Sequence, residues 1–460
     1  MLAFKTNLLK NIFKTGKAST YLIYILVIAL LAQGITRKRY RSAGYIHWDV
    51  ISYYACLPVV FIYKDLSLKF VDDLPRDFEG SIWRIPTDYG RFTLKYPIGT
   101  AIMILPFFFT AHIISNLAGI EASGYSWPYH FLILIAALFY LLAGLLYLRK
   151  ALLRYFSELT VMICMVILAI GTNIFYYATV ESGMLHIYSF FLFPAFIFHY
   201  TRFYQGERWI DTLLSGLISG LILLARPSNS ILLLCFILLY RGHFRMKDWY
   251  NYLWRKRFKL LVMFTVVLCI VFLQFSYWKF STGKWIYYSY GEERFYFLKP
   301  HIIEGLFSYR KGWLLYTPLM TLATVGFLFL KKKAPDLFHP ILVFTILNIY
   351  LVFSWWCWWY GGSFSARALI ESYALLSVPM GATVERLWKS GTLARVASSL
   401  IIIFFIYVNM FRSRQYRISL LHYESTSKEL YWAVFLSNEK PGNYEELLDP
   451  IDSEKAFRGE

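Results

Sequence analysis

Inside a bilayer every backbone N–H and C=O must be satisfied within the chain, and a helix of ~20 apolar residues does this across a ~30 Å hydrocarbon core. Runs of that kind recur along this sequence: Ala18 to Ile35, Tyr129 to Leu148, Leu159 to Val180, Leu185 to Tyr204, Phe258 to Phe280, Trp313 to Leu330, Phe338 to Trp356, Ala368 to Val384 and Ala394 to Phe411. Two more apolar stretches are less regular. Pro97 to Leu117 carries Pro97, Gly99 and Pro106, while Asp211 to Tyr240 is too long for one straight span and is interrupted by Arg226 and Pro227. The pattern predicts an all-α polytopic membrane protein, a bundle of about 11 transmembrane helices. Composition agrees, because 58% hydrophobic and 20% aromatic residues in a chain of 460 would have no interior to occupy in a water-soluble fold. Disordered chains, disulfide scaffolds and fibrous rods have other compositions. The five cysteines lie in or beside apolar runs without a CxxC pair, so neither a disulfide framework nor a zinc site is predicted.

The formal charge of +19 resides in loops between the apolar runs. No helix-turn-helix, RNP or zinc-finger pattern accompanies it, so the expected partners are membrane lipids and not nucleic acid. Lys5, Lys10, Lys14 and Lys17 precede the first run, which reads as an uncleaved signal anchor with its N-terminus in the cytoplasm. Orientation beyond that point depends on the two irregular stretches. If Pro97 to Leu117 dips in and returns, and Asp211 to Tyr240 is two short helices meeting at Arg226, the short basic loops share one side. Those loops hold Arg149, Lys150 and Arg154; Arg202 and Arg208; Arg241 to Lys259; Lys331 to Lys333; and Arg386, Lys389 and Arg395. The positive-inside rule favours this arrangement. The alternative, two single crossings, puts Arg149 to Arg154 and Arg202 to Arg208 opposite Arg241 onward. On the favoured topology the outer face carries the long first loop (37–96), with re-entrant or interfacial helices, and all the elaborated loops. Residues 1–411 then form one transmembrane domain, and 412–460 a short polar tail. No internal repeat is visible.

Ionisable groups at membrane depth cost ~3 kcal/mol or more and are functional candidates. Five clusters qualify. His47-Trp48-Asp49 opens an apolar segment to Tyr63 that would hold the Asp49 carboxylate at the interface, where it suits a general base or is a plain solvated loop acid. Glu181 and His186 lie about one helical turn apart at the start of a span, placed to orient a sugar hydroxyl or simply to begin a helix. Arg226 and Pro227 mark a helix break whose freed backbone would line a polar cavity. Arg310 and Lys311 sit at the mouth of a span, suited to a phosphate or to snorkelling toward headgroups. Trp355 to Glu371 joins an aromatic cluster including Trp359 to Gly361, Gly362 and the i, i+4 pair Arg367 and Glu371, which can bond to each other.

An outer-leaflet cavity with a carboxylate, several cations and many aromatic rings fits transfer of a sugar from a lipid phosphate. Rings stack on the sugar, cations meet the phosphate and the carboxylate takes the acceptor proton. A single displacement would invert the anomeric centre, whereas a double displacement needs a second nearby carboxylate, for which Glu181 is the candidate. In their order these pieces resemble the GT-C superfamily of membrane glycosyltransferases, nearest to the protein O-mannosyltransferase and lipid A aminoarabinose transferase group. The matching residues are His47-Trp48-Asp49, Lys95-Tyr-Pro-Ile-Gly99, Glu181 with His186, Arg226-Pro227, Arg310 to Pro318 and Trp355 to Glu371, spanning about Met1 to Phe411. The resemblance implies a GT-C-like fold with Asp49 as base. It places Glu181, His186, Arg310, Lys311 and Arg367 around a polyprenyl-phosphate sugar donor, with His47, Lys95, Arg226, Trp359 and Glu371 as further substrate contacts. The acceptor would be a glycan, lipid or protein hydroxyl. No metal or other cofactor is expected, and the setting would be the extracytoplasmic side of a bacterial inner membrane. This sequence departs from the protein mannosyltransferases in having a single aspartate where they carry paired acids. It also lacks the large soluble C-terminal domain of some relatives. Two rivals use similar groups: a flippase for lipid-linked sugars, and an O-antigen polymerase or ligase with a diphosphate-linked donor.

Overall fold

The computed structural model describes residues 17–42, 45–73, 84–206, 208–240 and 245–459. Lys5, Lys10 and Lys14 ahead of the first run, and residues 43–44, 74–83 and 241–244 of the two loops discussed above, lie outside the described residues.

The chain is a helical bundle with a single two-stranded ribbon among its described residues. Helices α1 (Ala18–Arg37) and α2 (Asp49–Tyr54) come first, α2 being prolonged by further turns to Tyr63. The ribbon β1 (Arg84–Pro86) and β2 (Phe92–Leu94) precedes α3 (Gly99–Leu117), α4 (Trp127–Leu152), α5 (Glu158–Ile170) and α6 (Ile174–Thr179). Next are α7 (Leu185–Gln205), α8 (Trp209–Ala225), α9 (Ser230–Leu239), the amphipathic α10 (Met246–Arg255) and α11 (Arg257–Thr282). Short α12 (Ile302–Phe307) and α13 (Trp313–Tyr316) lead to α14 (Thr321–Lys333), α15 (Pro335–Phe353), α16 (Tyr373–Lys389) and α17 (Thr392–Arg417). The tail adds α18 (Lys428–Ala433) and α19 (Ser453–Phe457). Among the described residues, six helices are long and apolar enough to cross a membrane: α1, α3, α4, α11, α15 and α17.

Local chemistry sets the ends. Ser157 caps α5 by accepting from the Thr160 amide, Pro128 and Pro335 start α4 and α15, and Gly283 stops α11 with φ 74°. Three predicted spans are interrupted. Leu159 to Val180 breaks between α5 and α6, where the Thr172 hydroxyl bonds the Leu168 carbonyl at 2.7 Å. Trp313 to Leu330 breaks at Pro318, which has no N–H to continue the helix. Ala368 to Val384 starts as a 3-10 segment, Arg367–Ser372.

Polar contacts sort the helix ends onto two faces. On one, Ser19 of α1 bonds Glu158 of α5 (2.7 Å) and Arg149 of α4 (2.5 Å). On the other, Arg37 meets Thr179 (2.9 Å) and His130 meets the Tyr40 carbonyl (3.0 Å). The first face also gathers Arg154 on Thr201 (3.1 Å), Tyr155 on Asp336 (2.7 Å), and Lys256 on the Phe203 and Gly206 carbonyls (2.5 Å each). Glu385 joins it, paired with Lys333 and with Lys389 at 2.7 Å. The described basic loops therefore lie together, which rules out the two-single-crossings topology.

Both irregular stretches explain how. Helices α8 and α9 meet at Arg226, as predicted, and their far ends return to one place: His199 of α7 bonds Asp211 at 2.8 Å, and the Tyr240 ring packs on Tyr204 at 5.4 Å. The Pro97 segment also enters and leaves by the same face, but differently from the expectation. The inward leg is extended chain, with Leu94 N on the Tyr277 hydroxyl (3.0 Å) and Ile98 N on Gln274 (2.9 Å). The outward leg is all of α3, one continuous helix antiparallel to α4, with Tyr140 on the Met103 carbonyl (2.9 Å) and His112 on Tyr129 (2.7 Å). The turn falls at Gly99, packed so closely on the Leu224–Ala225 backbone that a Cβ has no room.

The tail is part of the same body. Helix α17 carries on through Arg417, past the expected boundary at 411, and the following chain folds back over the loops at the end opposite the basic loops. Arg310 bonds Asp449 at 2.7 Å, and Phe457 stacks on Trp356 with centroids 4.0 Å apart.

Candidate functional site

A cavity of about 770 Å³ opens at the end of the bundle opposite the basic loops. Its wall is assembled from segments far apart in sequence. The first loop supplies Asp49, Tyr53, Lys95 and Tyr96; the α8–α9 break supplies Arg226; the loop after α11 supplies Tyr290 and Glu293. His186, the Trp355–Gly361 loop, Arg367 and Glu424 complete it.

Asp49 begins α2, directly after Trp48, whose φ of 49° turns the chain. Its Oδ2 accepts from the Arg367 guanidinium at 2.5 Å and its Oδ1 from the Tyr96 hydroxyl at 2.9 Å. Both ion-pair side chains are 12% exposed. The Arg367 Nε has no hydrogen-bond partner. A second pair lies alongside. Glu371 Oε1 contacts His186 Nδ1 at 3.0 Å and Arg226 at 3.7 Å, and Arg226 also donates to the Ala368 carbonyl (3.0 Å) and the Tyr360 hydroxyl (3.2 Å). Glu371 Oε2 is buried without a partner. A third pair joins Lys95 to Glu293 at 2.5 Å. Aromatic faces fill the gaps, with Tyr53 stacked on Tyr96 at 4.4 Å and Lys95 5.6 Å from the Tyr290 ring.

Five of the sequence-predicted residues thus line one cavity: Asp49, Lys95, His186, Arg226 and Arg367. Glu371 stands directly behind them, bonded to His186 and Arg226. Arg367 and Glu371 do not bond to each other. They lie in a 3-10 turn, and each reaches a different element.

The other five take different places. His47 is half-buried two residues before Asp49, and burial, with Arg39 nearby, lowers its tendency to protonate. Glu181 is half-buried outside the cavity wall, accepting from Tyr176 at 2.9 Å; desolvation raises its pKa, and Tyr176 and Arg39 oppose that. Arg310 is drawn to the tail, where it donates to the Glu424 carbonyl at 2.7 Å as well as to Asp449. Lys311 is buried with its Nζ on the carbonyls of Ser363 and Tyr423, the latter at 2.6 Å. Desolvation brings its pKa down to about 7. Trp359 is buried against Trp356 and Trp358. The two cations expected to meet a phosphate are therefore fasteners of the tail, because the tail's carbonyls and Asp449 fold onto them.

Tyr53, Tyr290, Glu293 and Glu424 were not singled out in sequence, and Tyr96 entered only within the Lys95 to Gly99 match. Tyr96 is next to Lys95, and Glu292 and Glu293 follow an aromatic run, but nothing local says that these loops meet. Among the described residues, no group of three or more His, Cys, Asp and Glu is placed to hold a metal.

Fold and site together define a polytopic helical membrane protein with a charged, aromatic cavity at one end of its bundle. In fold it is similar to the oligosaccharyltransferase of Archaeoglobus fulgidus, whose crystal structure is of the apo form, with 12% identity and a TM-score of 0.47. The match covers 96% of this chain and 61% of that enzyme, so the chain spans less than two thirds of its length. No family model and no curated protein sequence matches.

Proposed function

We propose that the protein is a membrane glycosyltransferase of the GT-C kind. It moves a sugar from a polyprenyl-phosphate donor to an acceptor hydroxyl on the extracytoplasmic face of a bacterial inner membrane. The observation that carries this reading is the meeting, in one cavity, of the Asp49–Arg367 pair, Arg226, Lys95 and a tyrosine-rich wall, at the end opposite the basic loops. The positive-inside rule makes those loops cytoplasmic and the cavity extracytoplasmic.

The chemistry follows from the groups present. The acceptor oxygen attacks the anomeric carbon from the side away from the phosphate. The bond from that carbon to the phosphate oxygen breaks, its electron pair leaves with the polyprenyl phosphate, and the anomeric centre inverts. The acceptor proton passes to Asp49 and then to water. An oxocarbenium-like transition state asks little of the base, and a phosphate leaves without a strong general acid when a fixed cation faces it. Arg226, held by Ala368, Tyr360 and Glu371, is such a cation. Arg367 orients the Asp49 carboxylate, and Tyr96 fixes its other oxygen. A flippase would need its charged groups reachable from both faces in turn, whereas here they gather at one end.

The test is mass spectrometry of lipid-linked and surface glycans in the native host, comparing wild type with Asp49→Asn at matched protein level. Loss of one sugar with accumulation of its polyprenyl-phosphate donor is expected. Unchanged glycans would remove Asp49 from the mechanism, and a complete glycan trapped on the cytoplasmic leaflet would favour a flippase.

A further inference from the structure

Three acids line the cavity, and two are committed: Asp49 to Arg367 and Tyr96, Glu293 to Lys95. The third is Glu424, from the tail. Its backbone is held from several directions. Arg310 donates to its carbonyl at 2.7 Å, its N–H reaches His422 Nδ1 at 3.2 Å, and Lys311 grips the preceding Tyr423 carbonyl at 2.6 Å. Its carboxylate, by contrast, has no hydrogen-bond or ion-pair partner among the described residues. Oε1 lies over Gly361 in the cavity wall, 3.4 Å from where a Cβ would stand. Trp356 belongs to the same wall. Phe457, also from the tail, stacks on the Trp356 ring and braces it.

The cavity wall therefore presents a carboxylate that can only accept, and the aromatic ring of Tyr360, the residue before Gly361, lines the same wall. A ligand that satisfies both must offer O–H donors to the two carboxylate oxygens and C–H surface to the ring. Vicinal hydroxyls of a saccharide do this, whereas a serine or threonine side chain brings a single hydroxyl. We infer that Glu424 is the acceptor-binding residue of this site and that the acceptor is a glycan, its paired hydroxyls held by the Glu424 carboxylate. The inference rests on the transferase reading above and narrows its acceptor to a saccharide. It also gives the tail a purpose: the fastening of Arg310 and Lys311 sets where Glu424 stands.

The test uses membranes from host cells containing the full chain as wild type, E424Q, E424D or D49N. They are supplied with the polyprenyl-phosphate sugar fraction and the glycan fraction extracted from the same host. Sugar transferred to glycan and free sugar released by hydrolysis are both counted while the glycan fraction is titrated. For E424Q, the glycan concentration giving half-maximal transfer should rise roughly tenfold, the scale of one lost charged hydrogen bond. Donor hydrolysis and thermal midpoint should match wild type, and E424D should recover part of the loss. Transfer by E424Q within about twofold of wild type, or equal loss of transfer and hydrolysis, would overturn the inference. So would a product in which the sugar sits on protein. If wild-type membranes transfer no more sugar than membranes lacking the chain, the transferase reading fails, and the assignment of Glu424 with it; transfer by D49N equal to wild type would overturn Asp49 as the base.

Discussion

The Asp49–Arg367 ion pair joins residues 318 apart in sequence and ties the long first loop to the segment before α16. Because both side chains are only 12% exposed, removing one charge strands the other in a poorly solvated place. Truncating one partner of a buried pair costs about 3–5 kcal/mol. The lower end applies to Arg367→Gln, since Tyr96 still donates to Asp49 Oδ1. For Asp49→Asn a similar loss of about 3 kcal/mol is expected, as Arg367 Nε already lacks a partner. The double variant leaves no stranded charge and two amides able to bond, so it should lose no more than either single. The predicted coupling is therefore about 3 kcal/mol or more. Reversible unfolding of purified protein in mixed micelles, titrated with denaturing detergent and followed by circular dichroism, measures all four corners of the cycle. A coupling below about 0.5 kcal/mol would show that the two charges do not meet in the folded protein. The argument that Arg367 orients Asp49 would then be refuted.

Other outcomes follow from neighbouring parts of the fold. Arg226→Ala should reduce sugar transfer at least about a hundredfold in the membrane assay, since a fixed cation facing developing charge contributes that much, while Lys332→Ala on the basic face should leave it unchanged; equal effects would sink the placement of the site. Lys311 titrates near 7 in the folded state against 10.5 unfolded, so the unfolded chain binds more protons between those values. Stability should accordingly climb as pH rises from about 7 to about 10, by at most roughly 1.4 kcal/mol per unit, and Lys311→Met should flatten the climb in thermal midpoints. In α14, Gly326 has no space for a Cβ against the Pro379 carbonyl of α16, so Gly326→Ala should push the helices apart. It should cost about 1–3 kcal/mol or more, read as a lowered yield of monodisperse protein by size-exclusion chromatography.

Much of the architecture was legible because bilayer physics acts locally. A stretch such as Tyr129 to Leu148 must become a helix wherever it lies, since its backbone has no other way to be satisfied in hydrocarbon. The break at Arg226-Pro227 was equally readable, because proline ends a helix and an arginine there needs a polar neighbour. The clustering of short basic loops followed from charge alone once that break was treated as a hairpin. Interruptions at Thr172 and within Arg367–Ser372 were hidden, since an apolar run looks the same whether its helix is continuous or broken.

The sequence by itself determined that the chain is a polytopic helical membrane protein, and it marked Asp49, Arg226, Arg367 and Glu371 as polar groups too costly to leave without partners. Only the tertiary structure decided who those partners are. Arg367 and Glu371, four residues apart, turn away from each other to Asp49 and to His186 with Arg226. Arg310 and Lys311 hold the tail instead of facing the cavity, and that tail delivers Glu424 to its wall. The physical reason is one of range: hydrophobicity and helix breaking act over a few residues along the chain, while an ion pair forms between whichever charges packing brings within a few ångströms.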